Sequence, residues 1–101
     1  MKTVNVILDV RDIDNFSTQN IQKIFEGVKG VYSVDSHREI KVGSDITTVA
    51  VKLELKAITT ELSTTIQTLR KNDAVAKISI GVLPVNLYDT EDDIKRKFER
   101  V

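Results

Sequence analysis

Apolar residues take alternate positions in some stretches of this chain and helical spacing in others. Val49, Val51, Leu53 and Leu55 alternate with Ala50, Lys52, Glu54 and Lys56. Successive strand side chains point to opposite faces, so this stretch predicts a strand with one buried and one wet face. Val4, Val6, Leu8 and Val10 repeat the pattern, with Ile7 on the opposite face between Asn5 and Asp9. Ala76, Ile78, Ile80 and Val82 alternate with Lys77, Ser79 and Gly81, a further strand that Pro84 punctuates. Residues 31–42 read as a strand whose middle, Asp35 to Glu39, is polar, either a bulge or a long strand splayed from the core. Gly43-Ser44-Asp45 then forms the turn of a hairpin with the 49–56 strand.

Helical spacing fills the gaps. Arg11 to Asn15 reads as a loop, and Ser17 as a helix N-cap with Phe16 and Ile21 as its apolar staple. Ile21, Ile24, Phe25 and Val28 make one apolar stripe, and Gly30 is the expected stop. Ile58, Leu62, Ile66 and Leu69 make a second stripe, ending near Asn72-Asp73. Thr59, Thr60, Thr64, Thr65 and Thr68 lower the propensity of that helix, so packing must hold it. Val85 to Tyr88 reads as a short extra strand or an extended arm. Thr90 to Asp93 has a capping pattern ahead of a short helix with Ile94, Phe98 and Val101 on one face. Its acidic start and basic end suit the helix dipole.

The order is β-α-β-β-α-β plus a tail. Two interleaved right-handed βαβ units predict an α+β, ferredoxin-like sandwich: a four-stranded antiparallel sheet with its first and third strands central. Residues 1–83 would form this domain, and 84–101 a C-terminal arm and helix.

A length of 101 residues suits one domain. Fifteen basic and fifteen acidic residues cancel, with no basic stripe, which speaks against nucleic-acid binding. The strand faces expected to be open also carry no stacking aromatic for RNA. No apolar run reaches the roughly 20 residues of a membrane-spanning helix. Met1 to Val4 leads into a strand without a signal-peptide pattern, so a cytoplasmic location is expected. The chain has no cysteine, which removes disulfides and thiolate chemistry.

Gly27 to Val31, the hairpin and Asp73 to Ile78 together resemble small ferredoxin-like domains over residues 3–83. Gly30-Val31-Tyr32-Ser33-Val34 is similar to the glycine-valine step of heavy-metal-associated domains. Metal binding in that family needs two cysteines in the first loop, where this chain has Arg11 to Asn15. The element order also resembles regulatory domains of the ACT and RAM types, which pair sheets between subunits and bind effectors. Small chaperones of nitrate-reductase signal peptides look similar in layout. The resemblance supports the fold more than any function, and no cofactor is expected.

Candidate chemistry is sparse. Asp35, His37 and Glu39 occupy alternate strand positions and form either a metal site or, the favoured reading, a solvated hairpin surface. Asp9, Asp12 and Asp14 suggest a hard-cation loop, but EF-hand spacing is absent and Arg11 sits among them, so loop solvation and helix-dipole complementation are the favoured reading. Arg11 also lies where an acylphosphatase-like hydrolase would need it, without the glycine-rich loop. In the tail, Leu87, Tyr88, Ile94 and Phe98 are candidate partner-binding residues that pack either on this domain or on a partner. The expectation is therefore a non-enzymatic binding or regulatory domain. It would act through a protein partner, self-association as a dimer, or a small-molecule effector. The alternatives are a divalent-metal or anion-binding domain and the hydrolase.

Overall fold

The computed structural model describes residues 2–11, 17–42, 47–57 and 61–100. The elements are β1 (Lys2–Val10), α1 (Thr18–Glu26), β2 (Val31–Val42), β3 (Thr47–Ala57), α2 (Leu62–Arg70), β4 (Val75–Ile80), β5 (Leu83–Val85) and α3 (Glu91–Glu99). They form an α+β fold with one five-stranded sheet, in the order β2-β3-β1-β4-β5. Every neighbouring pair is antiparallel.

The alternation seen in the sequence sets the core. Val4, Val6, Leu8 and Val10 stand opposite Leu55, Leu53, Val51 and Val49. All eight are buried. Ile21 and Phe25 of α1, Leu62, Ile66 and Leu69 of α2, and Ile94 and Phe98 of α3 complete the same cluster. The three helices therefore cover one face of the sheet, while Thr3, Lys52, Lys56 and Lys77 are exposed on the other. Each fully buried side chain of this size contributes about 1.5–3 kcal/mol, so these rows dominate stability.

Local chemistry trims the helices. The Ser17 hydroxyl accepts from the Asn20 amide at 3.2 Å, capping α1 as expected. The helix stops at Glu26 rather than running to Gly30, and Gly30 instead turns the chain into β2 at φ 89°. Within α2 the Thr68 hydroxyl donates to the Thr64 carbonyl at 3.0 Å, the local bonding that makes threonine a weak helix former. Beyond Arg70, the Ala74 amide donates to Asn72 Oδ1 at 2.9 Å and closes the turn into β4. Phe16, Gly43, Ser44, Asp45, Ile58 and Val101, which carry the staple, the hairpin turn and two stripe ends, lie outside the described residues.

Two strands differ from expectation. The polar middle of β2 pairs regularly with β3, and the register shift falls at its start, between Val31 and Ser33. The strand expected to run from Ala76 through Val82 instead turns at Gly81-Val82 and returns as β5, giving five strands rather than four. Gly81 has φ 59° and Val82 has none of the positive φ of a type I′ turn, so glycine fits the first central position of a two-residue hairpin. Val82 is 93% exposed as a result. Within β4, Val10 pairs with Val75 while Asp9 pairs with Lys77, so Ala76 is the extra residue of a bulge. The bulge puts Val75, with Ile78 and Ile80, on the buried face.

Candidate functional site

The sheet ends in two edges, and hydrogen-bond alternation fixes what each presents. The Gly81 amide donates to the Asn5 carbonyl at 2.7 Å. Asn5 thus turns its backbone groups toward β4, and so do Ile7 and Asp9, since every second residue of an antiparallel strand faces the same neighbour. Val4, Val6 and Leu8 then face β3, where they pair with Leu55, Leu53 and Val51. The remaining β3 residues, Glu54, Lys52 and Ala50, face β2 and pair with Asp35, His37 and Glu39. By the same alternation, Val34, Ser36, Arg38 and Ile40 turn their amides and carbonyls outward, away from the sheet. One contact agrees: the Val34 carbonyl accepts from Gln22 Nε2 of α1 at 3.1 Å. Gln22 is itself held by Ser36, whose hydroxyl donates to its Oε1 at 2.7 Å, and it donates to Glu26 at 2.9 Å.

The opposite edge is built differently. Ser79 and Lys77 face β1, so Ile80 and Ile78 face β5 and pair with Leu83 and Val85. Between those two, Pro84 faces outward. It is the chain's one proline, it has no N–H to offer, and its place on an edge strand is where proline is tolerated. The β5 edge therefore presents one carbonyl and no donor. Among the described residues, no strand pairs with the outer side of β2, and that edge presents a row of both.

The polar set expected on β2 sits beside its open edge. Asp35 and His37 are exposed on the helix-free face. Glu39 shares their register row, but its side chain lies outside the described residues. Directly across the ladder, Asp35 meets Glu54 and His37 meets Lys52, a carboxylate against a carboxylate and an imidazole against an ammonium. Lysine beside His37 disfavours a cation there. Among the described residues, no three His, Cys, Asp or Glu side chains gather to hold a metal ion.

The four tail residues separate into two pairs. Ile94 is wholly buried and Phe98 is 5% exposed, both in the chain's own core, so they are not available to a partner in this fold. Leu87 and Tyr88 lie in the turn before α3, with Tyr88 91% exposed. That turn is pinned. The Asp89 carboxylate accepts from the Asn86 amide at 2.9 Å and pairs with Lys97, and Gln67 Nε2 donates to the Asp89 carbonyl at 3.3 Å. Arg70 Nε reaches the Val85 carbonyl at 3.1 Å. Thr90 and Asp93 form the reciprocal cap read in the sequence. The Thr90 amide, and then its hydroxyl, hydrogen-bond the Asp93 carboxylate and hold its pKa below the ordinary value.

Of the remaining candidates, Asp9 is half-buried in β1, between Ala50 and Lys77, while Asp12 and Asp14 lie outside the described residues. The Arg11 guanidinium donates to the Asp73 carbonyl at 3.1 Å. Ile7, Asp9, Lys77, Ser79, Gly81 and Val82 line a shallow depression of about 200 Å³ on the open sheet face. Among the described residues, no helix is long and apolar enough to cross a membrane. Gln22, Pro84 and Asp89 carry the geometry of the edges and tail, and only Pro84 was visible in the sequence as punctuation. No protein-family model matches the chain, and no curated protein matches it significantly.

Proposed function

We propose that this chain is a non-enzymatic binding domain of the ferredoxin-like type that engages protein through the free edge of β2. The strand order β2-β3-β1-β4 supports the ferredoxin-like reading, with β5 added beyond the usual four. The observation that carries the function is the outward row of backbone donors and acceptors from Val34 to Ile40, next to an opposite edge that proline closes. An exposed strand edge is a template for another strand, and main-chain bonds supply affinity in that mode of recognition.

A small effector in the depression near Ile7 is the second reading. Its volume of about 200 Å³ falls below the roughly 300–1,000 Å³ of ordinary ligand pockets, so the protein reading is preferred. An acylphosphatase-like reaction would rest on Arg11, which is already bonded to the Asp73 carbonyl.

The test is light scattering over a wide concentration range, with the Arg38→Pro variant beside the unaltered chain. A mass above the monomer that Arg38→Pro returns to the monomer supports edge pairing. A monomer mass at millimolar concentration overturns the self-association branch.

A further inference from the structure

We infer that the occupant of the β2 edge is a second copy of this chain, paired antiparallel about a twofold axis through Arg38. The inference rests on the edge-binding reading above and goes further by naming the partner and its register. Charge order along β2 is the observation that selects both.

Inside the chain, the charges of β2 are poorly matched to their ladder partners. Asp35 faces Glu54 and His37 faces Lys52. The compensating Lys52 and Lys56 lie one diagonal step from Asp35, at about 7–8 Å. Against another β2 the match depends on register. Pairing two copies through residue 38 sets Asp35 opposite Lys41 of the second copy and His37 opposite Glu39, each twice by symmetry. On the other face it sets Val34 opposite Val42 and Ser36 opposite Ile40. Moving the axis to residue 37 places Asp35 against Glu39, two acids, and moving it to residue 39 places that acid against itself. An axis at residue 36 keeps the favourable Asp35–His37 pair but runs into the irregular stretch between Val31 and Ser33. An axis at residue 40 also pairs opposite charges, Glu39 with Lys41, but leaves only residues 38–42 of β2 to pair, against 34–42 for the axis at Arg38. Strand position and strand length are all that this selection needs. Backbone geometry permits it as well, because Ser36, Arg38 and Ile40 are among the residues turned outward. At the end of the row, Gln22 already donates to the Val34 carbonyl, which leaves that oxygen one lone pair for pairing that far. Arg38 facing its own symmetry mate is the one unfavourable pair in this register. The outcome is a continuous ten-stranded sheet, twice the five of one chain.

Charge reversal tests the register. Asp35→Lys removes the clash with Glu54, so the monomer keeps its fold. It sets lysine against Lys41 of the second copy at two symmetric places, and the dimer is expected to weaken by about tenfold. Asp35→Lys combined with Lys41→Asp restores the opposite signs and the affinity. Because the chain has no cysteine, a single introduced thiol reports its neighbour without ambiguity. Arg38→Cys lies on the axis, where paired residues have Cα atoms about 5.5 Å apart, within disulfide reach. Mild oxidation is expected to cross-link it. Asp35→Cys is offset from its own mate by roughly 20 Å along the strand and is expected to stay unlinked. A dimer in which the double reversal fails to rescue, or in which Asp35→Cys links as readily as Arg38→Cys, overturns this register while the edge-binding reading stands. A chain that remains monomeric at millimolar concentration overturns both the second-copy inference and the self-association branch.

Discussion

The two edges of this sheet face the same hazard and meet it in opposite ways. At the β5 edge, Leu83 and Val85 spend their backbone groups on β4, and Pro84 turns outward without an N–H. Arg70 takes the Val85 carbonyl, and the Asp89–Lys97 pair fastens the chain that follows. At the β2 edge there is no proline, and among the described residues Gln22 covers one carbonyl near its start. An edge left open over that length is an aggregation liability unless something pairs with it. The difference teaches that closure here is selective: one edge ends the sheet and the other can continue it.

The most damaging way to break the comparison is to undo what seals the β5 side. Phe98→Ala removes an anchor that is 5% exposed in the core, and a loss of about 3–5 kcal/mol is expected in urea unfolding. A loss under about 1 kcal/mol would mean that α3 does not hold that edge.

A proline pair sharpens the β2 side. His37 gives its amide to the β3 ladder and Arg38 turns its own outward, so identical substitutions at adjacent positions should differ. His37→Pro is expected to cost roughly 2–3 kcal/mol, a lost ladder bond with an orphaned carbonyl. Arg38→Pro is expected to stay within about 1 kcal/mol while removing association. Equal costs would contradict the alternation derived from the Gly81–Asn5 bond.

The tail cap gives a smaller effect. Thr90→Ala removes the N-cap of α3 and is expected to lower stability by about 1 kcal/mol. Acid acts on the same feature. The Asp93 pKa is lowered in the folded chain, so its support is present above the ordinary value of 3.8 and is lost as pH falls through the lowered one. Circular dichroism is expected to show the sharper loss of helix below that pH in the unaltered chain, and a shallower one in Thr90→Ala. The smallest effect on stability is expected for Pro84→Thr, within about 0.5 kcal/mol, yet light scattering should show new association through the reopened edge.

How much of this was legible in the sequence depended on the kind of pattern. The buried rows of β1 and β3 could be read because a period of two is a direct consequence of pleating, and Val4 to Val10 and Val49 to Leu55 keep it without a break. Ser17 and the Thr90–Asp93 cap could be read from side chains whose polar atoms serve nearby backbone. The turn at Gly81-Val82 was hidden because valine is a strand former and continued the alternation from Ala76. Burial in the tail was hidden too, since Leu87, Tyr88, Ile94 and Phe98 are all apolar, and only tertiary position separates the exposed pair from the buried one. At the candidate site, the charges of Asp35, His37 and Glu39 were plain. Which neighbour their backbone faces was not, because that follows from a bond between Gly81 and Asn5 far along the chain.

The bulge at Ala76 has a consequence for how the chain tolerates changes in length. Without that residue, Val75 and Lys77 would be consecutive, and the pairs Val10–Val75 and Asp9–Lys77 would form an uninterrupted ladder. Deletion of Ala76 is therefore expected to shorten the gene product by one residue without moving any side chain to the wrong face. A one-residue deletion inside β3 would shift part of its apolar row across the sheet. Single deletions should thus survive at this bulge and be eliminated in the central strands, and a deletion scan read out by soluble yield would map that boundary.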